Sequence, residues 1–121
     1  MELIAYTVLF LGVAIAGGMG AVLRLFLSKY VGVLPWGILI ANVIASFVVG
    51  YAQTSMQVGL AVITISGLAG GLSTFSSYAS QTVEYFRRGR LAQGLLNTAA
   101  TLVLSSTAVW LGALVGSGML K

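Results

Sequence analysis

The stretch that decides the fold is GLAGGLSTFSSY, residues 67–78, which lies in the middle of an apolar run over residues 58–86. Glycine destabilises a helix interior, and serine offers the backbone alternative hydrogen bonds, so we expect a membrane-spanning helix that opens here. An open backbone inside hydrocarbon is tolerated only where it is buried in protein or lines an aqueous path. The stretch therefore predicts an ion site or a pore near the middle of this helix.

The composition around this stretch is that of an integral membrane protein. The chain has 121 residues, of which 59% are hydrophobic and 7% are charged, and its mean hydropathy is +1.05. Such values exclude a soluble domain. Four apolar segments, at roughly 20 residues for each bilayer crossing, use up most of the chain. We predict an all-α fold with one four-helix membrane domain over residues 1–121, with helices at about 3–27, 35–52, 58–86 and 91–115.

Residue counts exclude most enzymatic chemistry. The chain has no cysteine and no histidine, and it has two acidic residues in total. Disulfides, thiol catalysis, imidazole metal ligands and a hydrolytic carboxylate pair are therefore excluded, and we do not expect an enzyme. Arginines at positions 87, 88 and 90 are best explained as a cytoplasmic membrane anchor, and they are too few for a nucleic-acid surface. A single four-helix layer is too small to enclose a cavity, so we expect an oligomer.

Polar residues lie inside two of the predicted helices. Asn42 and Ser46 are four residues apart in the second helix, and Asn97, Thr101 and Ser105 repeat that spacing in the fourth. Residues four apart share a helix face. Hydrogen bonding between helices is one explanation of such residues, and pore lining is the other. The three-member stripe favours pore lining.

The first helix combines a small-residue face with a cation near its end. Gly12, Ala16 and Gly20 recur every four residues, a spacing that lets a neighbouring helix approach closely. Arg24 follows near the membrane boundary. Its side chain either anchors the helix by snorkelling to the interface or draws anions to a channel mouth.

Three motifs follow one another on the first three helices. They are GGMGAVLRLF at residues 17–26, ANVIASFVVG at residues 41–50 and GGLSTFSSY at residues 70–78. In this order and spacing, the chain resembles the CrcB/Fluc family of bacterial fluoride channels. The resemblance covers nearly the whole chain, and the third motif is the most specific.

The resemblance implies a passive, fluoride-selective channel in the bacterial inner membrane. Its subunit would pair with a second, antiparallel copy to give two fluoride pores, with a structural sodium ion at the dimer centre. The backbone carbonyls of Gly70 and Ser73 match the family's sodium ligands. The matching pore-lining residues are Phe75, Tyr78, Asn42 and Arg24, and Thr101 and Ser105 would continue a polar track along the fourth helix.

The sequence departs from the family pattern at three positions. Tyr78 stands where the family usually has phenylalanine, Ala45 where it usually has glycine, and Gln81 where glutamate is expected. Tyrosine keeps the aromatic ring and adds a hydroxyl, so we expect the site to survive. The glutamine removes any charged role at that pore mouth.

The side-chain chemistry of these residues suits fluoride and sodium even without the family resemblance. Fluoride is small and tightly hydrated, so a dry path must replace its water with hydrogen-bond donors, which Ser105, Thr101 and Asn42 carry. An aromatic ring is electropositive at its edge, so Phe75 and Tyr78 presented edge-on would stabilise an anion. The carbonyls of an opened helix suit a hard monovalent cation, and two from each subunit would make four ligands.

Two other classes of function remain open from the sequence. A small proton-coupled multidrug exporter also uses four helices and an antiparallel dimer, but it needs a carboxylate within the membrane, and here Glu2 and Glu84 lie at segment ends. A non-transporting membrane assembly subunit would use the polar stripe only for helix packing.

The distribution of lysine and arginine between the two sides of the membrane bears on whether the subunit pairs with a second copy of itself or with another protein. Lys121 is the only lysine or arginine on the side of the termini, whereas Lys29 and the three arginines of the third connection lie on the other side. The positive-inside rule therefore predicts one orientation, while an antiparallel homodimer needs two. We favour the homodimer because one chain type supplies both halves of the sodium site. A heterodimer with an oppositely oriented paralogue is the alternative.

Overall fold

A computed structural model describes residues 1–30, 32 and 35–119, and within these ranges its regular structure is entirely helical. Four spans are long and apolar enough to cross a membrane. The third span is interrupted, which confirms the predicted all-α fold with a broken third helix. The helices are α1 (Glu2–Leu27), α2 (Trp36–Ser55), α3 (the consecutive stretches Val58–Val62, Ile63–Ala69 and Gly70–Leu72), α4 (Phe75–Arg87) and α5 (Leu91–Ser117).

The observed helix ends differ slightly from the predicted ones. The second helix begins at Trp36 and ends at Ser55, against predicted limits of 35 and 52. Pro35 precedes the first turn, and its carbonyl accepts the first helical bond from Leu39 N–H at 3.0 Å. The predicted loop over residues 28–34 is only partly described, because residues 31, 33 and 34 lie outside the described ranges, as does Lys121.

Two close helix pairs make up the subunit, with α1 packed on α3 and α2 packed on α5. Glycine permits both contacts. A Cβ atom added at Gly20 would collide with the carbonyl oxygen of Leu68, and one added at Gly112 would collide with that of Phe47. The predicted small-residue face of α1 is therefore confirmed as a packing face.

The middle of α3 is wound more loosely than an α-helix. At the end of the stretch Ile63–Ala69, the N–H of Gly70 is shared between the carbonyl of Gly67 and that of Ile65, the latter five residues earlier. Widened turns of this kind are rare and are often found at functional sites. This one comes directly before the interruption of the span.

The interruption is at Ser73 and Thr74. Both residues are extended, with ψ of 153° at Ser73 and φ and ψ of −152° and 111° at Thr74. Thr74 then caps α4, because its Oγ1 accepts the N–H of Ser77 at 3.2 Å. A hydroxyl at this position satisfies one of the free N–H groups of the first turn.

A side chain from α2 stabilises the open backbone. The Oδ1 of Asn42 accepts the N–H of Thr74 at 2.7 Å, and its Nδ2 donates to the carbonyl of Thr74 at 3.3 Å. Thr74 is 5% exposed, so these groups would otherwise be unpaired in the protein interior. Asn42 therefore makes the interruption tolerable inside a membrane.

Candidate functional site

A groove of about 300 Å³ runs beside the interruption. It lies between α2, the start of α4 and the middle of α5, and its lining residues are Asn42, Ser46, Ser73, Thr74, Phe75, Tyr78, Thr101, Leu102 and Ser105. Five of the six predicted pore-lining residues are thus brought together. The sixth, Arg24, lies on α1 and is not part of this lining, so a role for it at a channel mouth stays a prediction.

Two aromatic rings form one wall of the groove. Phe75 and Tyr78 are three residues apart and lie on the same face of α4, with ring centroids 5.6 Å apart and ring planes tilted by 54°. Phe75 is 78% exposed in the isolated subunit. Both rings line the groove, and an aromatic ring attracts an anion at its electropositive edge and repels one at its face.

The lining that α5 contributes to the groove includes Ser105. Its Oγ is buried and has no hydrogen-bond partner among the described residues. The hydroxyl of Ser46 differs, because it donates to the carbonyl of Asn42 at 2.8 Å within its own helix. Leaving a buried polar group unpaired costs about 1–3 kcal/mol, so the Ser105 hydroxyl is suited to a ligand in the groove. Thr101 lies one turn before it on the same wall.

Asn42 combines the two roles that the sequence left open. Its amide holds the backbone of Thr74, and the residue also lines the groove. An amide nitrogen carries two hydrogens. The bond to the Thr74 carbonyl uses one of them, which leaves the second available to an acceptor in the groove.

The polar stripe of the fourth span is divided between packing and groove. Asn97 is 1% exposed and donates from Nδ2 to Thr82 Oγ1 at 2.9 Å, so it joins α5 to α4 and does not line the groove. For this residue the structure favours hydrogen bonding between helices, the first of the two explanations that the sequence left open. A four-residue step overshoots one helical turn by about 40°, so Asn97 and Ser105 face directions that differ by roughly 80°.

On the other side of the interruption, two carbonyl groups have lost their helical donors. In a continuous helix, Gly70 and Ser73 would accept the N–H groups of Thr74 and Ser77. Those N–H groups instead donate to Asn42 Oδ1 at 2.7 Å and to Thr74 Oγ1 at 3.2 Å. Unpaired carbonyl oxygens are the ligands that hard cations prefer.

These carbonyls belong to residues that line a second groove, of about 180 Å³. Its lining residues are Ala45, Ser46, Val49, Ile65, Ala69, Gly70, Ser73 and Val109. A Cβ atom at Gly70 would meet only the Ile65 carbonyl oxygen, at 3.5 Å. Packing within the subunit therefore does not require glycine here.

The two helix ends at the interruption have opposite electrostatic character. The end of α3 presents carbonyl groups, and the start of α4 presents N–H groups, because terminal turns lack intrahelical partners. Helix dipoles add partial negative charge at the first end and partial positive charge at the second. One interruption therefore favours a cation at the carbonyl groups that end α3 and an anion at the N–H groups that begin α4, with Ser73 in the lining of both grooves.

Comparison with known proteins identifies the family. A sequence profile described as "CrcB-like protein, Camphor Resistance (CrcB)" matches residues 11–113. The chain belongs to the CrcB family. The chain is 36% identical to the "Fluoride-specific ion channel FluC" of Opitutus terrae, over 92% of this chain and 94% of the relative.

Two further relatives of this CrcB chain carry the same name. The protein from Pyrococcus abyssi is 35% identical over 81% of this chain and 87% of its own length, and that from Rhizobium etli is 34% identical over 83% and 89%. CrcB relatives are named as ion channels, and the chain is a multi-pass membrane protein and not an enzyme.

At the basic end of the CrcB subunit, a further groove of about 280 Å³ contains Gln81. The Oε1 of Gln81 is buried and has no partner in the described part of the chain. Nearby, Arg88 Nε donates to Glu84 Oε1 at 2.8 Å in a surface ion pair. Because glutamine replaces the expected glutamate at position 81, this groove contains a neutral amide in place of a carboxylate.

Sequence reasoning missed two residues of the CrcB site. Thr74 caps α4 and is held by Asn42, and Thr98 accepts the hydroxyl hydrogen of Tyr78 at 3.2 Å. Thr74 had a detectable signal, because a threonine directly before a helical segment is a typical N-cap. Thr98 had none, since its partner lies 20 residues away in the sequence.

Proposed function

We propose that this protein is a subunit of a passive, fluoride-selective channel that exports fluoride from the cytoplasm across the bacterial inner membrane. The observation that carries the proposal is the composition of the groove. Ser105, whose hydroxyl has no partner among the described residues, lines it together with the rings of Phe75 and Tyr78. A dehydrated anion needs donors along its path. The names of the relatives as fluoride-specific channels support fluoride as that anion.

Transport needs no energy source other than the membrane potential. An interior-negative potential drives an anion outward with about 2.3 kcal/mol per charge for each 100 mV. Within the groove, the amide of Asn42 and the hydroxyls of Thr101 and Ser105 replace water one after another. The ring edges of Phe75 and Tyr78 stabilise the ion from the other wall.

The subunit alone does not close this path. Phe75 is 78% exposed, and the groove is open on one side. A second copy in antiparallel orientation would cover the ring and complete the wall, so that one groove in each subunit gives two pores per dimer. An oppositely oriented paralogue would satisfy the same geometry and is the alternative partner.

A structural sodium ion at the dimer centre fits the carbonyls of Gly70 and Ser73. Both have lost their helical donors, and two from each subunit would give four oxygen ligands. A bound cation would offset the negative end of α3 and hold the interruption in shape.

Sodium removal tests this part of the proposal. Protein purified and assayed with a large organic cation in place of sodium should lose fluoride flux, and flux should return when sodium is added back. Undiminished flux after complete sodium removal would contradict a structural sodium ion.

The channel itself is tested by efflux from liposomes that contain the purified protein, followed with fluoride and chloride electrodes. We expect rapid fluoride efflux and little chloride efflux. Liposomes with the Phe75→Ile variant provide the matched control, because we expect that protein to retain the membrane fold. Absence of fluoride efflux from wild-type liposomes would overturn the proposal.

The same preparation separates the other two functions. A proton-coupled exporter would accumulate a cationic drug in response to a pH gradient, and an assembly subunit would transport neither ion nor drug. The positions of the two carboxylates in this chain disfavour an exporter, which needs a carboxylate within the membrane. Glu84 pairs with Arg88 at the surface, and Glu2 lies in the exposed first turn of α1.

A further inference from the structure

The ring of Tyr78 is held at its far end by a residue of the neighbouring helix. The hydroxyl of Tyr78 donates to Oγ1 of Thr98 at 3.2 Å. Thr98 in turn donates to the carbonyl of Gly94 at 3.1 Å, so its own hydrogen is engaged and its lone pairs face Tyr78. The direction of the Tyr78 bond follows from this arrangement.

The backbone of Tyr78 is attached to the same helix by a second route. Its carbonyl accepts the hydroxyl of Thr82 at 2.9 Å, and Thr82 accepts the amide of Asn97 at 2.9 Å. Asn97 and Thr98 are neighbours on α5. The residue is therefore fixed to α5 at both ends, and the ring between these attachments has little freedom to turn.

We infer that Thr98 is a positioning residue for the aromatic wall. It engages the phenolic hydrogen, so that Tyr78 presents only its ring to the groove and behaves as the phenylalanine that the family usually has. This inference rests on the proposed fluoride channel. Without Thr98, the phenol is a free donor beside the ion path, and a phenol that bonds a dehydrated anion would retain it.

The inference makes Thr98 important only when residue 78 carries a hydroxyl. Thr98→Val keeps the shape of the side chain but removes the acceptor. In the wild-type background it should slow fluoride efflux about ten-fold or more, the factor that one hydrogen bond to a charged group supplies. In a Tyr78→Phe background the same change should leave efflux unaltered, and Tyr78→Phe alone should be mild.

Two controls accompany this cycle. Thr98→Ser retains the hydroxyl as an acceptor for Tyr78, so efflux by this variant should equal that of the wild-type protein. Thr107→Val makes the same change on an exposed part of α5, where the hydroxyl donates to the Val103 carbonyl at 2.8 Å within its own helix, and it should have no effect.

Each result of the efflux measurements decides one question. Equal slowing by Thr98→Val in the tyrosine and phenylalanine backgrounds means that Thr98 only packs the helices, and it overturns the inference while the channel stands. No slowing in the tyrosine background overturns it as well. A wild-type protein that releases no fluoride overturns the proposed function, and the role of Thr98 in transport falls with it.

Discussion

Truncation of Asn42 tests how the interruption of the third span is stabilised. Asn42→Ala removes the acceptor of the Thr74 N–H, at 2.7 Å, and the donor to the Thr74 carbonyl, at 3.3 Å. Thr74 is 5% exposed, so water does not replace either bond. Two unpaired buried groups at about 1–3 kcal/mol each should lower the free energy of unfolding by about 2–6 kcal/mol.

Asn97→Ala is the matched control for this measurement. It deletes the same atoms from a residue that is even more buried, at 1% exposed. Its partner is the hydroxyl of Thr82, which keeps the carbonyl of Tyr78 as its own acceptor. A side-chain bond of this kind in a membrane averages about 0.6 kcal/mol. We therefore expect Asn42→Ala to be the more destabilising variant by at least about 1 kcal/mol.

The assay is reversible unfolding of the purified variants in mixed micelles titrated with sodium dodecyl sulfate, followed by circular dichroism. Both variants lose packing volume, so their difference reports the orphaned backbone groups. A cost for Asn97→Ala equal to or above that for Asn42→Ala would refute the reasoning. Fluoride efflux is measured in parallel and should be lost in Asn42→Ala, because the interruption shapes both grooves.

Three further predictions concern the rings, the polar wall and the orientation. Phe75→Ile should largely abolish fluoride efflux and leave a folded dimer on size exclusion, because isoleucine nearly retains the apolar volume but lacks the electropositive ring edge; wild-type efflux would contradict the role of the ring. Ser105→Ala and Thr101→Val should slow efflux more than they destabilise the protein, whereas a lost dimer with unchanged efflux per dimer would show that these hydroxyls only pack helices. Single cysteines at Gly89 and Ser117, in a chain with no native cysteine, should both be partly labelled in intact cells by an impermeant reagent; labelling of Ser117→Cys alone would mean one orientation and exclude the antiparallel homodimer.

Composition and local propensity were sufficient to predict the helical spans. Whether a segment crosses a bilayer depends on its own length and apolar content, so the limits of α1 and the start of α5 could be placed from the sequence. The interruption was also predictable, because glycine and serine in residues 67–78 weaken the helix locally.

The roles of individual polar residues were not predictable in the same way. Asn97 and Ser105 belong to one stripe in the sequence, yet the first packs against Thr82 and the second faces the groove. Their difference depends on where α4 lies against α5. Helical periodicity describes directions around one helix and carries no information about which neighbour occupies each direction.

The sequence by itself determined that the third span opens and which residue types are available there. Only the tertiary structure decided where the freed backbone groups go, because the partner of Thr74 lies 32 residues away at Asn42 and that of the Tyr78 hydroxyl lies 20 residues away at Thr98. A helix break is a local property of the chain, whereas satisfying its N–H and C=O groups requires another helix to lie within hydrogen-bond distance.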